Sequence, residues 1–99
     1  MKILDEMIEE LKEEVEGARE YAEKYVEAKA LNNMPRAAKY KEMAHDELKH
    51  ATIIRGFAME DAESIKRVHT LTEEEAHHWE HCHKKINDEI AMVNHILSM

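Results

Sequence analysis

The chain is poor in residues that interrupt helices and in those that cross-link small extracellular domains. It has one proline and two glycines, and this scarcity in a 99-residue chain favours long helices over sheets and loops. The single cysteine, Cys82, excludes a disulfide within the chain and favours a reducing compartment. Aromatic residues make up 5% of the sequence, and no apolar run is long enough to span a membrane. These features predict a helical, soluble protein.

Positive charge is also scarce. The chain has 14 lysines and arginines against 22 aspartates and glutamates, which gives a formal net charge of −8. Nucleic-acid binding requires clustered basic residues, so it is not predicted, whereas an acidic surface attracts cations. Lys2, Asp5 and Glu6 place charge too early for a signal peptide. The charge is thus compatible with cations collecting near the surface, and we expect a cytoplasmic protein that binds neither nucleic acid nor membranes.

Apolar residues recur at helical spacing in three segments, at about 3–31, about 35–68 and from Thr72 to about 97. Pro35 suits the first turn of the second helix, and Thr72 with Glu75 predicts a capping box at the start of the third. The residues predicted to face the core are Leu4, Ile8, Leu11, Val15, Ala18, Ala22 and Tyr25 on the first helix, and Trp79, Cys82, His83, Ile86, Ile90, Val93 and Leu97 on the third.

Helices of this length are stable only when they pack against one another, because each is about 42 Å long at 1.5 Å per residue. We predict one all-α domain spanning residues 1–99, an up-down-up bundle of three long helices joined by short turns. A four-helix bundle would need a further helix. Dimerisation is therefore expected to complete the bundle.

The strongest functional pattern is the run 46–51, Asp-Glu-Leu-Lys-His-Ala. At about 100° per residue it falls within an apparent core stripe of the second helix. We call this stripe the Tyr40–Phe57 row; it consists of Tyr40, Met43, Glu47, His50, Ile54 and Phe57. The stripe is expected to continue through Ala58, Ala62 and Ile65, with a kink at Gly56 as the alternative. A carboxylate on an apolar face is costly unless it is paired, and Glu-x-x-His projecting inward is the ligand unit of di-iron carboxylate bundles. The row thus predicts Glu47 and His50 as buried metal ligands.

The first helix is expected to supply a carboxylate partner. Glu14 lies about 70° from the centre of its apolar face, on the heptad row that also contains Met7 and Tyr21, whereas Glu16 lies about 130° away. We therefore predict that Glu14 points inward as a ligand and that Glu16 lies in solvent. A flanking position on a wide charged face is the alternative for Glu14.

The third helix offers His83 as a fourth ligand, because His83 lies between Trp79 and Ile86 on the apolar face. A satisfied core histidine is the alternative. Glu80 has Glu-x-x-His spacing with His83 but sits about 100° off the stripe, so it can join only at the rim. Glu75 is on the correct face, yet the capping box explains it without a metal.

Three further histidines, His77, His78 and His81, have the spacings at which helical side chains approach one another. They are predicted to face outward, where a solvated polar face explains them. Cys82 borders the core and is predicted to pack as a small apolar residue.

These residues resemble a known group of proteins. Glu14 followed by Tyr21, then Glu47 and His50 within the run 46–51, is similar to the first half of a rubrerythrin or a related small ferritin-like protein. The stretch 15–22, Val-Glu-Gly-Ala-Arg-Glu-Tyr-Ala, is also similar to that superfamily. The resemblance covers roughly 11–54. It implies that Glu14, Glu47 and His50 are ligands of non-haem iron that reacts with dioxygen or peroxide.

The chain also departs from that pattern. It lacks a second inward Glu with a second well-placed Glu-x-x-His, and it has no Cys-x-x-Cys pair for a rubredoxin-type iron. Either a partner chain completes the site, as in two-helix encapsulated ferritins, or the site is mononuclear or vestigial.

Three hypotheses follow. The first is a ferritin-like protein that binds Fe2+/Fe3+ as one or two ions through Glu14, Glu47, His50 and His83, with Glu47 as a bridge and zinc or manganese as alternative metals. If two irons bind, oxidation of Fe(II) by dioxygen or peroxide follows. The second is a non-enzymatic helical scaffold in which these side chains form a buried polar layer that specifies register. The third is a metal or pH sensor built on the outward histidines.

Overall fold

The computed structural model describes residues 2–68 and 70–99. Three helices account for most of them: α1 (Lys2–Ala30), α2 (Met34–Val68) and α3 (Glu73–Ser98). No strand occurs within these ranges, so the predicted all-helical class is confirmed. The molecule extends 54 Å along its longest axis and 18 Å along the other two. The described residues include no helix both long and apolar enough to cross a membrane.

The turn between α1 and α2 is built by two asparagines. Asn32 has φ 60°, the left-handed conformation that asparagine tolerates better than most residues. The Asn33 and Asn32 N–H groups donate to the carbonyls of Ala28 and Lys29 at 2.8 and 3.0 Å, which is the Schellman pattern. Asn33 then caps α2, because its side-chain oxygen accepts from the Arg36 N–H at 3.3 Å. The chain thus reverses direction within a few residues.

The predicted capping box at the start of α3 is confirmed. The Glu75 N–H donates to Thr72 Oγ1 at 3.1 Å, and the Thr72 N–H donates to Glu75 Oε1 at 3.0 Å. That second bond lowers the pKa of Glu75, because the backbone donor stabilises the ionised carboxylate. The box fixes the residue at which α3 begins.

The core follows the predicted faces of α1 and α3. All seven residues predicted for α1 are buried. On α3, Cys82, Ile86, Val93 and Leu97 are buried, while Trp79, His83 and Ile90 are half-buried. Two clusters result: one joins Ala18, Ala22 and Tyr25 to Ala44, Leu48, Val93 and Leu97, and the other joins Ile8, Leu11 and Val15 to Ala51, Ala58, Cys82 and Ile86.

The core face of α2 lies about 90° around the helix from the Tyr40–Phe57 row, so the prediction for that row is wrong, whereas Ala58 and Ala62, in its expected continuation past Gly56, are buried. The buried residues are Ala37, Ala44, Leu48, Ala51, Ala58 and Ala62, four of them alanines at heptad spacing. Alanine has no side chain beyond Cβ, so α2 packs through its smallest residues and its backbone lies close to α1. The larger apolar residues of the Tyr40–Phe57 row are consequently left at the edge or on the surface, with Met43 40% and Phe57 55% exposed.

Candidate metal centre

Packing of α1 against α2 brings together three of the four predicted ligands. One carboxylate oxygen each from Glu14 and Glu47 and one imidazole nitrogen of His50 lie within 4.8 Å of one another. His50 Nδ1 is 3.7 Å from Glu14 Oε2. We call these three side chains the carboxylate–imidazole group. It consists of the hard oxygen and borderline nitrogen donors that suit first-row divalent metals.

The group lies at the edge of the core and not inside it. Glu14 and Glu47 are half-buried, and the side chain of His50 is 58% exposed. Within 2–68 and 70–99, no polar or charged residue is fully buried. The expectation that Glu47 and His50 are buried together is therefore wrong, because the rotation of α2 turns the alanine face inward and leaves the Tyr40–Phe57 row at the edge of the core or on the surface. Glu16 is exposed, as predicted.

The Glu47 carboxylate lies against Gly17 of α1. Gly17 follows Glu14 by three residues, so both lie on one face of α1. A Cβ added at Gly17 would stand 3.4 Å from Glu47 Oε2 and 3.7 Å from its Cδ. The sequence reasoning did not single out Gly17. The available indication was a glycine inside a helix, which often marks a close approach.

The two carboxyl groups are not independent. The pKa of Glu47 is raised, chiefly because its carboxyl shares a hydrogen bond with that of Glu14, and further because burial and the Glu14 charge disfavour its ionised form. The charge of His50 has the opposite effect and lowers the pKa of Glu47. Glu14 Oε2 has a buried position and no hydrogen-bond partner, since the imidazole at 3.7 Å is too distant.

The predicted fourth ligand, His83, is not among the side chains that the structure brings together. Its ring packs against Trp79, with ring centroids 5.5 Å apart, and it lines a cavity of about 370 Å³ with Met59, Lys66 and Asn87. The carboxylate–imidazole group includes no α3 residue, so His83 is not part of it. Glu80 lines the same cavity, and Glu75 forms the capping box.

The three histidines predicted to face outward, His77, His78 and His81, are exposed. His78 Nε2 lies 3.7 Å from Asp5 Oδ1 and 3.8 Å from the Cys82 sulfur. Cys82 itself is buried, in agreement with its predicted packing role. In the portion of the chain that the structure describes, only the carboxylate–imidazole group gathers three metal-ligating side chains.

Comparisons with protein-family models, with curated proteins and with solved structures found no match for this chain. The geometry of the carboxylate–imidazole group is therefore the basis for assigning a function.

The raised pKa of Glu47 predicts a pH dependence of the metal-free protein. Because the pKa of Glu47 is higher in the folded state, its contribution to the free energy of unfolding is fully present below the unfolded pKa of about 4.3. It is lost as the pH rises through the folded pKa. His50, Glu14 and Asp46 face the same carboxyl and affect its titration. In urea unfolding with chelator present, we expect Glu47→Gln to gain stability relative to wild type between acidic and neutral pH. A pH-independent difference would contradict this.

Gly17→Ala and Gly56→Ala form a matched pair of helix substitutions. Alanine in a helix interior is favoured over glycine by about 0.5–1 kcal/mol, and a Cβ at Gly56 would meet nothing within 4 Å. In chemical denaturation, we expect Gly56→Ala to raise the free energy of unfolding by this full amount. Gly17→Ala is expected to raise the free energy of unfolding by less than Gly56→Ala does. It is also expected to weaken metal binding, because its methyl group contacts the Glu47 carboxylate. Equal gains with unchanged metal affinity would contradict this role of Gly17.

Proposed function

We propose that the chain is a ferritin-like metal-binding protein whose ligands are Glu14, Glu47 and His50. The observation that carries the proposal is the convergence of these donors from two helices within 4.8 Å, with Glu14 Oε2 buried and unpartnered. Two neighbouring carboxyl groups are costly to ionise without a counter-charge. A divalent cation supplies that charge and occupies the unpartnered oxygen.

Iron is the metal that we propose, with zinc or manganese as alternatives. Carboxylate and imidazole ligands suit all three, and the family resemblance of the run 46–51 favours iron. If the site held two irons, they would supply redox chemistry in which dioxygen or peroxide oxidises Fe(II). The three side chains would position the ions, and the half-buried setting of Glu14 and Glu47 would restrict access of water.

A second copy of the chain is proposed to complete the site. Three donors leave coordination positions open on any first-row metal ion. Around them the Tyr40–Phe57 row exposes apolar side chains, with Phe57 55% exposed and the adjacent Ile53 51% exposed. A two-fold axis beside the group would bring the same surface of both copies together. The partner would thus supply a second set of donors and cover the apolar side chains.

The test is native mass spectrometry of untagged protein, titrated anaerobically with Fe(II) and separately with Zn(II). We expect a dimer that holds one or two metal ions per pair of carboxylate–imidazole groups. Glu47→Ala is expected to lose the metal, whereas Glu16→Ala, on the exposed face of the same α1 helix as Glu14, is expected to retain it. Metal content unchanged by Glu47→Ala would overturn the proposal.

A scaffold function is the second candidate, favoured by the same exposed apolar residues. The two differ in what holds the dimer together. In the metal proposal the facing carboxylates repel one another until a cation is bound, so chelator is expected to dissociate the dimer. A dimer of undiminished affinity in chelator, with no metal bound after titration, would favour the scaffold.

Substitution of Phe57 tests the docking face. Phe57→Lys places a charge within the apolar surface that the second copy would cover, and Val68→Lys, at the exposed end of α2, is the matched control. We expect Phe57→Lys to be monomeric by sedimentation and to bind metal at least about tenfold more weakly, a change of about 1.4 kcal/mol. Val68→Lys is expected to behave as wild type. A dimeric Phe57→Lys would exclude this face.

A further inference from the structure

Two tyrosines from different helices form a stacked pair beside the proposed metal site. The ring centroids of Tyr21 and Tyr40 are 6.4 Å apart, with an angle of 23° between the ring planes. Both side chains are half-buried and pack against the core cluster of α1, α2 and α3. The pair is therefore held in place, yet the rings remain open to reagents from solvent.

The pair lies two helical turns from the carboxylate–imidazole group on both helices. Tyr21 follows Glu14 by seven residues and Tyr40 precedes Glu47 by seven, a rise of about 10.5 Å along each helix. Residues seven apart lie on nearly the same face of a helix. An electron can be transferred over such a distance, so either phenol is a suitable donor to an oxidant at the proposed site.

The third tyrosine has a different setting, which makes it an internal control. Tyr25 is buried, whereas Tyr21 and Tyr40 are half-buried. Lysine ammonium groups lie near the rings of both Tyr25 and Tyr40, with Lys29 and Lys41 at 5.5 and 5.7 Å from Tyr25 and Lys24 at 5.8 Å from Tyr40. No second tyrosine ring stacks on it among the described residues. Oxidation directed from the proposed metal site would thus distinguish Tyr21 and Tyr40 from Tyr25.

We propose that Tyr21 and Tyr40 are the electron donors when hydrogen peroxide is reduced at the carboxylate–imidazole group, and that they become covalently joined. This inference rests on the proposed function. Iron held by Glu14, Glu47 and His50 would supply one-electron steps for that reduction. Each phenol loses one electron and one proton, and a carbon–carbon bond forms between the two ring positions ortho to the hydroxyls. As aromaticity is restored, the two ortho C–H bonds break and their protons move to the phenol oxygens, which regenerates both hydroxyls. Peroxide accepts the two electrons and the two phenolic protons to give two waters.

The geometry favours joining within one chain. At 6.4 Å between centroids the rings need only a small approach to form the bond, and half-buried side chains have room to make it. The product would link α1 to α2 next to the turn that already joins them. The reaction would therefore consume peroxide without releasing a radical into solution, at the expense of one tyrosine pair.

The experiment uses the full chain, loaded anaerobically with Fe(II) and treated with one equivalent of peroxide. Trypsin separates the two tyrosines, because Lys24, Arg36 and Lys39 lie between them, so a joined pair appears in the mass spectrum as two peptides lighter by two hydrogens. Dityrosine fluorescence is the second readout. We expect the product in wild type and Tyr25→Phe, and none in Tyr21→Phe or Tyr40→Phe. Equal oxidation of Tyr25 would show that a diffusing radical is responsible and would overturn the proposal.

Two further measurements distinguish the ways in which the tyrosine proposal can fail. Mixing 14N- and 15N-labelled protein distinguishes joining within a chain from joining between chains, and isotopically mixed peptides would overturn the proposal. Metal content is measured on the same samples. Bound iron with no joined product would overturn the tyrosine role and leave the metal site standing, whereas absence of bound iron would overturn both.

Photo-oxidation with ruthenium tris-bipyridyl and persulfate, which needs no bound metal, is expected to join the rings even in Glu47→Gln.

Discussion

A divalent metal at 100 times its Kd is expected to stabilise the folded chain by about 2.7 kcal/mol. For a domain of about 100 residues this corresponds to an increase in Tm of roughly 10–20 °C. The effect arises because Glu14 and Glu47 converge only when α1 packs against α2, so the unfolded chain offers no comparable site. Differential scanning calorimetry with Fe(II) under argon, and with Zn(II) in air, measures it.

Three variants establish the source of that stabilisation. Glu47→Gln keeps the size of the side chain but removes its charge, and we expect it to lose most of the increase in Tm. Glu16→Gln removes the same charge from an exposed position of α1 and is expected to keep the increase. His83→Ala is also expected to keep it, because His83 packs against Trp79 and lies apart from the group. An increase in Tm that survives Glu47→Gln would exclude the proposed site.

Ala44→Leu is expected to destabilise the protein by about 1–3 kcal/mol, because adding carbon atoms to a filled core forces strained rotamers or shifts of the backbone. Ala44 is 0% exposed and packs in the cluster with Ala18 and Leu48. The heptad alanines set the distance between α1 and α2, so a larger side chain would push the helices apart. The same substitution is expected to weaken metal binding, since the donors come from both helices.

Ala38→Leu is the matched control, since Ala38 lies on the exposed side of α2. It makes the same chemical change with nearly the same helix propensity, and we expect it to alter the urea midpoint little. Equal midpoints for Ala44→Leu and Ala38→Leu would mean that the alanine row does not face α1. The Tyr40–Phe57 row would then be the core face.

The Tyr40–Phe57 row shows where sequence reasoning about the fold fails. Periodicity located α2 and its ends well, because Pro35 and the Asn32–Asn33 turn act locally on the backbone. The row was assigned to the core because it carries the bulky apolar residues Met43, Ile54 and Phe57. Close helix packing selects small residues instead, and hydropathy alone gives alanine little weight. Between residues 40 and 57 the prediction therefore had the correct helix but the wrong face.

For the candidate site too, some features could be predicted from the sequence and others could not. Glu14 was selected over Glu16 from the angle around α1, and the structure places Glu14 half-buried and Glu16 in solvent. Glu47 and His50 were selected from the Glu-x-x-His spacing, and they meet Glu14 across the helix pair. Their exposure, the space left by Gly17 and the raised pKa of Glu47 could not be derived from spacing, because each depends on how closely α1 approaches α2.

By itself, the sequence determined the features that act within one helix or one turn: the number of helices, their ends, the capping box of Thr72 and the apolar stripe of α1. These depend on local hydrogen bonding and on the period of the helix. Only the tertiary structure decided which face of α2 is buried, that His83 lies away from Glu47, and that Tyr21 stacks on Tyr40. Those relations depend on the rotation and distance of one helix relative to another, which are set by side-chain packing between segments far apart in the chain.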